Sequence, residues 1–150
     1  MSPYYRYKKE KFLEKYQSAY DNLEDLKEAI TEYKKSHNRI IRRAMFAYFQ
    51  DFSEYIVDMC ESYIIINDGK IKSNMSAIQI IEKSYDMGFF DENLKGYLVM
   101  AIKLRNRYTH DYYLRGESEK FIEDFCFKKL AYLNIFLEES KDKVILRYRE

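Results

Sequence analysis

At 150 residues with a hydrophobic content of 47%, the chain is long enough for one domain with a real core and too short for two comfortable ones. Lys and Arg number 26 against 25 Asp and Glu, a net charge of +1, so no global basic field advertises a polyanionic partner and any such contact has to be local. One proline, four glycines and a charged fraction of 34% with both signs mixed leave few turn signals and suit long amphipathic helices, so the expected fold is all-α, a single domain over residues 1–150.

The first helix is expected from about Tyr5 to Lys35, where Phe12, Tyr16, Ala19, Leu23, Leu26, Ile30 and Tyr33 recur at spacings of four and three as a narrow seam. Such a seam followed by further helices favours an antiparallel intramolecular bundle over a free coiled coil. Ser36-His37-Asn38 breaks the pattern, with Ser36 or Asn38 placed to cap the next helix and His37 read as structural or solvated. That second helix runs to about Ile66. Its apolar positions, from Ile40 and Ile41 through Met45, Phe49, Phe52, Ile56 and Cys60 to Tyr63, form a wide face, which makes it the expected centre of the bundle. Asp51, Glu54 and Asp58 fall on the other side, where a solvated surface is the favoured reading over a role in orienting a catalytic group.

Asn67-Asp68-Gly69-Lys70 reads as a turn, because Asn and Gly tolerate positive φ. Ser73, Asn74 or Ser76 caps a short third helix carrying Ile78, Ile80, Ile81 and Tyr85. Gly88 closes it and Asp91 caps the fourth helix, with Leu94, Tyr97, Leu98, Ala101 and Leu104 inward and Gly116 as its stop. A last helix is expected from about Ser118 to Glu139, giving about five in all, and residues 140–150 read as a loosely held charged tail.

Cys60 and Cys126 are far apart, each in an apolar-periodic context, which suggests buried reduced thiols and a cytoplasmic setting. No basic-then-apolar leader opens the chain, and no apolar run approaches the length of a membrane span. The two cysteines and two histidines have no metal-ligand spacing, and no glycine-rich phosphate loop occurs. Neither a metal nor a nucleotide cofactor is therefore expected. Three basic groups stand out: Arg6, Lys8, Lys9 and Lys11; Lys34, Lys35, Arg39, Arg42 and Arg43; and Lys103, Arg105, Arg107 and Arg115. Basic runs are more often solvated faces than binding sites, but the third group surrounds the one segment where a histidine, an arginine pair and a phenol converge.

That segment is Arg105-Asn106-Arg107-Tyr108-Thr109-His110-Asp111-Tyr112. On an ideal helix Arg105 and Tyr112 lie within about 20° of each other, with Tyr108 and Thr109 between, as one polar-aromatic stripe. Asn106 and His110 are an i,i+4 pair, so the amide is placed to hydrogen-bond the imidazole and fix its tautomer. His110 itself points about 140° away from Arg105. The two meet at one phosphate only if Arg105 reaches around, if the helix loosens, or if a second copy related by a two-fold axis completes the site. The residue types suit metal-free cleavage of RNA. The substrate supplies its own 2′-OH nucleophile, His110 the acid or base, and Arg105 a permanently charged fork for the phosphorane. A lone helix histidine is more often ordinary than catalytic; the arginine, asparagine and tyrosine at these offsets reverse that preference.

The spacing Arg-x4-His-x-Tyr, with Asn directly after the arginine, resembles the signature of the HEPN superfamily and in particular its HepT-like toxin branch. From about Arg42 to Tyr113 the order of Arg-Ala, Ser-x-x-x-Ala-Ile-x-Ile-Ile, Met-Gly-Phe-Phe and Ile-Lys-Leu-Arg-Asn-Arg-Tyr-Thr-His-Asp-Tyr is similar to these proteins. The resemblance implies a HEPN-like helical-bundle homodimer with a cleft at its two-fold interface. Arg105 and His110 would be the catalytic pair, Asn106 a supporting polar residue, and Lys103, Arg107 and Arg115 candidate RNA contacts. It further implies a toxin of a type VII-like pair acting on RNA, tRNA among the candidates, and neutralised by a minimal nucleotidyltransferase antitoxin that attaches AMP to Tyr112. The alternative is a non-catalytic subunit that binds substrate for such a nucleotidyltransferase, and a third possibility is a plain dimeric scaffold.

Overall fold

The computed structural model describes residues 3–110 and 115–146, with side chains from Lys9 onward. Six α-helices account for nearly all of it: α1 Pro3–Ser36, α2 Arg39–Ile66, α3 Ala77–Asp86, α4 Glu92–His110, α5 Arg115–Lys128 and α6 Ala131–Ser140, followed by a π-helical turn Lys141–Leu146. The fold is an all-α bundle with no strand among the described residues. None of the described helices is long and apolar enough to cross a membrane.

The seam of α1 buries Phe12, Ala19, Leu23, Leu26 and Ile30 against the second helix. Within that contact the half-polar Asn22 is buried too, its Nδ2 donating to the Tyr48 carbonyl at 3.0 Å. The helix ends because His37 takes a left-handed conformation, φ 53°, which turns the chain back on itself. Asn38 then caps α2, its Oδ1 accepting from the Ile40 and Ile41 amides. Helix α2 is the central element and packs on α1, α3, α4 and α5. It buries Met45, Phe46, Phe49, Phe52, Ile56, Met59, Cys60, Tyr63, Ile64 and Ile66. Ile40, expected on this face, is 75% exposed, because it sits in the first turn before the helix reaches its neighbours. Buried Ser53, Ser84 and Ser140 each return their hydroxyl proton to a carbonyl one turn back, so the core holds them at little cost.

The turn after α2 departs from expectation in one detail. Asp68, not Gly69, has the positive φ, at 64°. Gly69 is required for room, since a Cβ there would lie 2.6 Å from Ile64 Cγ2. Ser76 caps α3 in a reciprocal capping box with Gln79. At its other end the Gly88 amide donates to Tyr85 O and the Phe89 amide to Ser84 O, a Schellman closure with Gly88 at φ 91°. Phe89 is thereby driven into the core, where it meets Phe12, Tyr63, Phe90 and Phe136.

Three boundaries differ from the sequence expectation. Gly116 does not stop α4; α4 is described to His110, and Gly116 lies in the first turn of α5. The expected last helix is two, broken at Lys129–Leu130, so that α5 packs on α2 and α4 while α6 turns to α1 and α4. Of the tail expected to be loose, Lys141–Leu146 is a π-helical turn against α1 and α6, anchored by fully buried Val144. Residues 147–150 lie outside the described residues.

Candidate functional site

Helix α4 begins at Asp91, whose Oδ1 accepts from the Leu94 amide at 2.8 Å. Burial of Leu94, Leu98, Ala101 and Ile102 fixes its rotation. Two polar stripes follow from that rotation. One runs through Arg105, Tyr108 and Thr109 beside α2: the Tyr108 ring lies 5.7 Å from that of Phe46, and Thr109 Oγ1 accepts from Gln50 Nε2 at 3.3 Å. The other runs through Lys103, Asn106, Arg107 and His110 on the outward side, where all but half-buried Asn106 are exposed.

Asn106 joins the stripes. Its Oδ1 accepts from Arg105 Nη2 at 3.2 Å, holding the guanidinium at the edge of the outward face. The expected amide–imidazole bond is absent: Asn106 and His110 are not hydrogen-bonded to each other, because the amide oxygen is directed to the arginine. No carboxylate pairs with Arg105 among the described residues. Its neighbours are different, since Arg107 bonds Glu117 at 3.7 Å and lies over the Phe121 ring. Asp51, Glu54 and Asp58 make no ion pair with Arg105 or His110.

Arg105 and His110 therefore do not meet within one chain, in keeping with their angular separation on the helix. His110 is the last residue of α4 and is exposed. Tyr112 lies outside the described residues. Arg115 folds back from α5, its guanidinium 4.8 Å above the Tyr108 ring and its Nη2 donating to the Tyr108 carbonyl at 3.4 Å, one of the acceptors that the end of α4 leaves open.

Beside this stripe is a feature that sequence reading assigned to a solvated face. Arg39, Arg42 and Arg43 from the start of α2 converge with Phe46, Tyr108, Arg115 and Glu119 around a cavity of about 470 Å³. Arg42 is neutralised there by Glu119 at 2.7 Å and Glu123 at 3.4 Å. The same pair of charges reaches Tyr33, whose hydroxyl is pushed above its ordinary pKa by burial and then by Glu123, with Arg42 opposing. The available signal was the spacing of Arg39, Arg43, Phe46 and Gln50, which puts them on one stripe of α2. On the far side of α4, Met100, Leu104, Arg107, Phe121 and Phe125 line an apolar groove of about 420 Å³, with Met100 and Phe121 exposed.

A family model described as Ribonuclease HepT-like matches residues 16–140. The match spans all six helices at least in part, including both stripes of α4. No curated protein matches the chain.

Proposed function

Because the chain belongs to the HepT-like ribonuclease family, we propose that it is the toxin of a toxin–antitoxin pair, an endoribonuclease that cuts RNA without a metal ion. The observation that carries this reading is Arg105. It is a half-buried guanidinium held by an amide rather than by a carboxylate, so its full charge remains available to a phosphate.

The substrate 2′-oxygen attacks the adjacent phosphorus and the P–O5′ bond breaks, leaving a 2′,3′-cyclic phosphate and a 5′-hydroxyl. His110 takes the 2′ proton or gives one to the departing 5′ oxygen, and Arg105 stabilises the dianionic phosphorane. Asn106 is a positioning residue that acts through Arg105. The separation of Arg105 from His110 favours a site built across a homodimer. Exposed Met100 and Phe121, on α4 and α5 beside the outward stripe, supply an apolar strip for the second copy. In this reading Lys103 and Arg107, flanking His110, meet the RNA backbone. The antitoxin is a minimal nucleotidyltransferase that transfers AMP to Tyr112, placing negative charge and bulk where an RNA phosphate has to sit. Transfer RNA is the first substrate to test.

The same separation also fits the second reading, a non-catalytic subunit that holds substrate for a nucleotidyltransferase. Incubating wild type, Arg105→Ala and His110→Ala with total tRNA in chelator separates the two. Cleavage by wild type alone, with cyclic phosphate ends, is the expected result. Intact RNA with a folded, dimeric, AMP-free wild type would overturn the nuclease reading in favour of the second.

A further inference from the structure

The arginine cavity at the start of α2 is not used by the chemistry above. Four guanidiniums, those of Arg39, Arg42, Arg43 and Arg115, face it. The carboxylates of Glu119 and Glu123 offset two of these charges, and both are spent on Arg42. Arg39 and Arg43 are exposed, one turn apart, and have no ion pair among the described residues. Even Arg42 has a donor to spare, since its buried Nε lacks an acceptor. The first turn of α2 adds the positive end of a 28-residue helix. Nothing in this cavity favours a base. The Phe46 ring is covered by Arg42 at 4.8 Å and the Tyr108 ring by Arg115 at 4.8 Å, so neither aromatic face is open for stacking.

We propose that this cavity is a phosphate-binding subsite for the RNA strand, with Arg39 and Arg43 as its contacts, reading backbone and not sequence. The inference rests on the ribonuclease reading for its choice of ligand. What places it on the path of the strand is Tyr108: this residue forms one wall of the cavity and lies one turn from Arg105 on the same stripe of α4. A strand whose scissile phosphate sits at Arg105 has a neighbouring phosphate within reach of the cavity. Contacts of this kind set register and affinity equally for all sequences.

The test is the binding of a labelled single-stranded RNA oligonucleotide to the full chain carrying His110→Ala, which separates binding from cleavage. The parent is compared with Arg39→Gln/Arg43→Gln in that background across a range of salt concentrations, and with Lys70→Gln/Lys72→Gln. Those two exposed lysines lie beyond the opposite end of α2, roughly 40 Å away. The slope of log affinity against log salt is expected to fall by about two for the arginine pair and to stay unchanged for the lysine pair, with the same loss on unrelated RNA sequences. Unchanged slope and affinity in a folded arginine variant would overturn the proposal, as would a loss confined to one sequence. So would intact RNA binding combined with loss of a complex with a nucleotidyltransferase, which would make the cavity a protein-docking site. Failure of wild type to cleave any RNA, with the slope change still present, would remove the ribonuclease reading and leave the subsite standing.

Discussion

Arg105 and His110 lie five residues apart on one helix, and that offset by itself directs them to different sides. The motif was legible in sequence because helical periodicity is a one-dimensional property. The partner of Asn106 was not. An i,i+4 histidine and an adjacent arginine are both within reach of its amide, and only side-chain packing decides in favour of Arg105. The arginine cavity was hidden for another reason: it joins Arg42 to Glu119, 77 positions away, and no local pattern reports such a contact. The buried thiols allow a direct chemical check. Burial pushes Cys60 and Cys126 from 9.0 up to about 12, offset slightly at Cys60 by Ser84 and reinforced at Cys126 by Glu123. An unfolded chain ionises both near pH 9 while the folded chain does not, so stability is retained below that pH and falls as the pH rises from about 9 towards about 12. Denaturation curves should therefore lose stability more steeply above pH 9.0 for wild type than for a folded Cys60→Ala/Cys126→Ala variant. Thiol reagents at mildly alkaline pH should label neither cysteine until the protein unfolds.

At the scale of the helices, the same substitution should act with opposite sign at two glycines. Gly88 holds φ 91° in the closure of α3, and an added Cβ would only come within 3.9 Å of the Tyr63 hydroxyl, so the cost of Gly88→Ala is conformational, about 1–3 kcal/mol. Gly96 is an exposed interior position of α4 with nothing within 4 Å of an added Cβ, and Gly96→Ala should stabilise by about 0.5–1 kcal/mol. Urea denaturation of the two variants measures both. The elements up to α4 were readable because caps and stops are written locally: Asn38, Ser76, Gly88 and Asp91 all act where their residue types suggest. The break at Lys129–Leu130 has no glycine or proline to announce it. It exists because residues on either side pack on different neighbours, a property of the assembled bundle. Gly116 misled for the converse reason, being tolerated inside the first turn of α5, where it is exposed and has no neighbour within 4 Å of an added Cβ.

For the whole molecule, the division of Arg105 and His110 between two stripes makes a distinctive prediction about mixed dimers. If each site draws its arginine from one chain and its histidine from the other, a dimer of Arg105→Ala with His110→Ala contains one doubly damaged site and one intact site. Co-expression of the two inactive chains should then restore cleavage; persistent inactivity of a verified mixed dimer would place both residues of each site in one chain. A last consequence concerns rates. The α1–α2 hairpin pairs sequence neighbours, whereas the ring of Phe89 lies 6.4 Å from Phe12 and 5.7 Å from Phe136, joining parts of the chain that are distant in sequence. Contacts of such long separation close late, after the loop entropy has been spent. Phe89→Ala, costing about 3–5 kcal/mol, should then leave the refolding rate nearly unchanged and accelerate unfolding on the order of 10²–10³-fold in stopped-flow traces. The aromatic cluster would act as a latch on the finished bundle, governing how long a molecule stays folded and having little influence on how quickly it gets there.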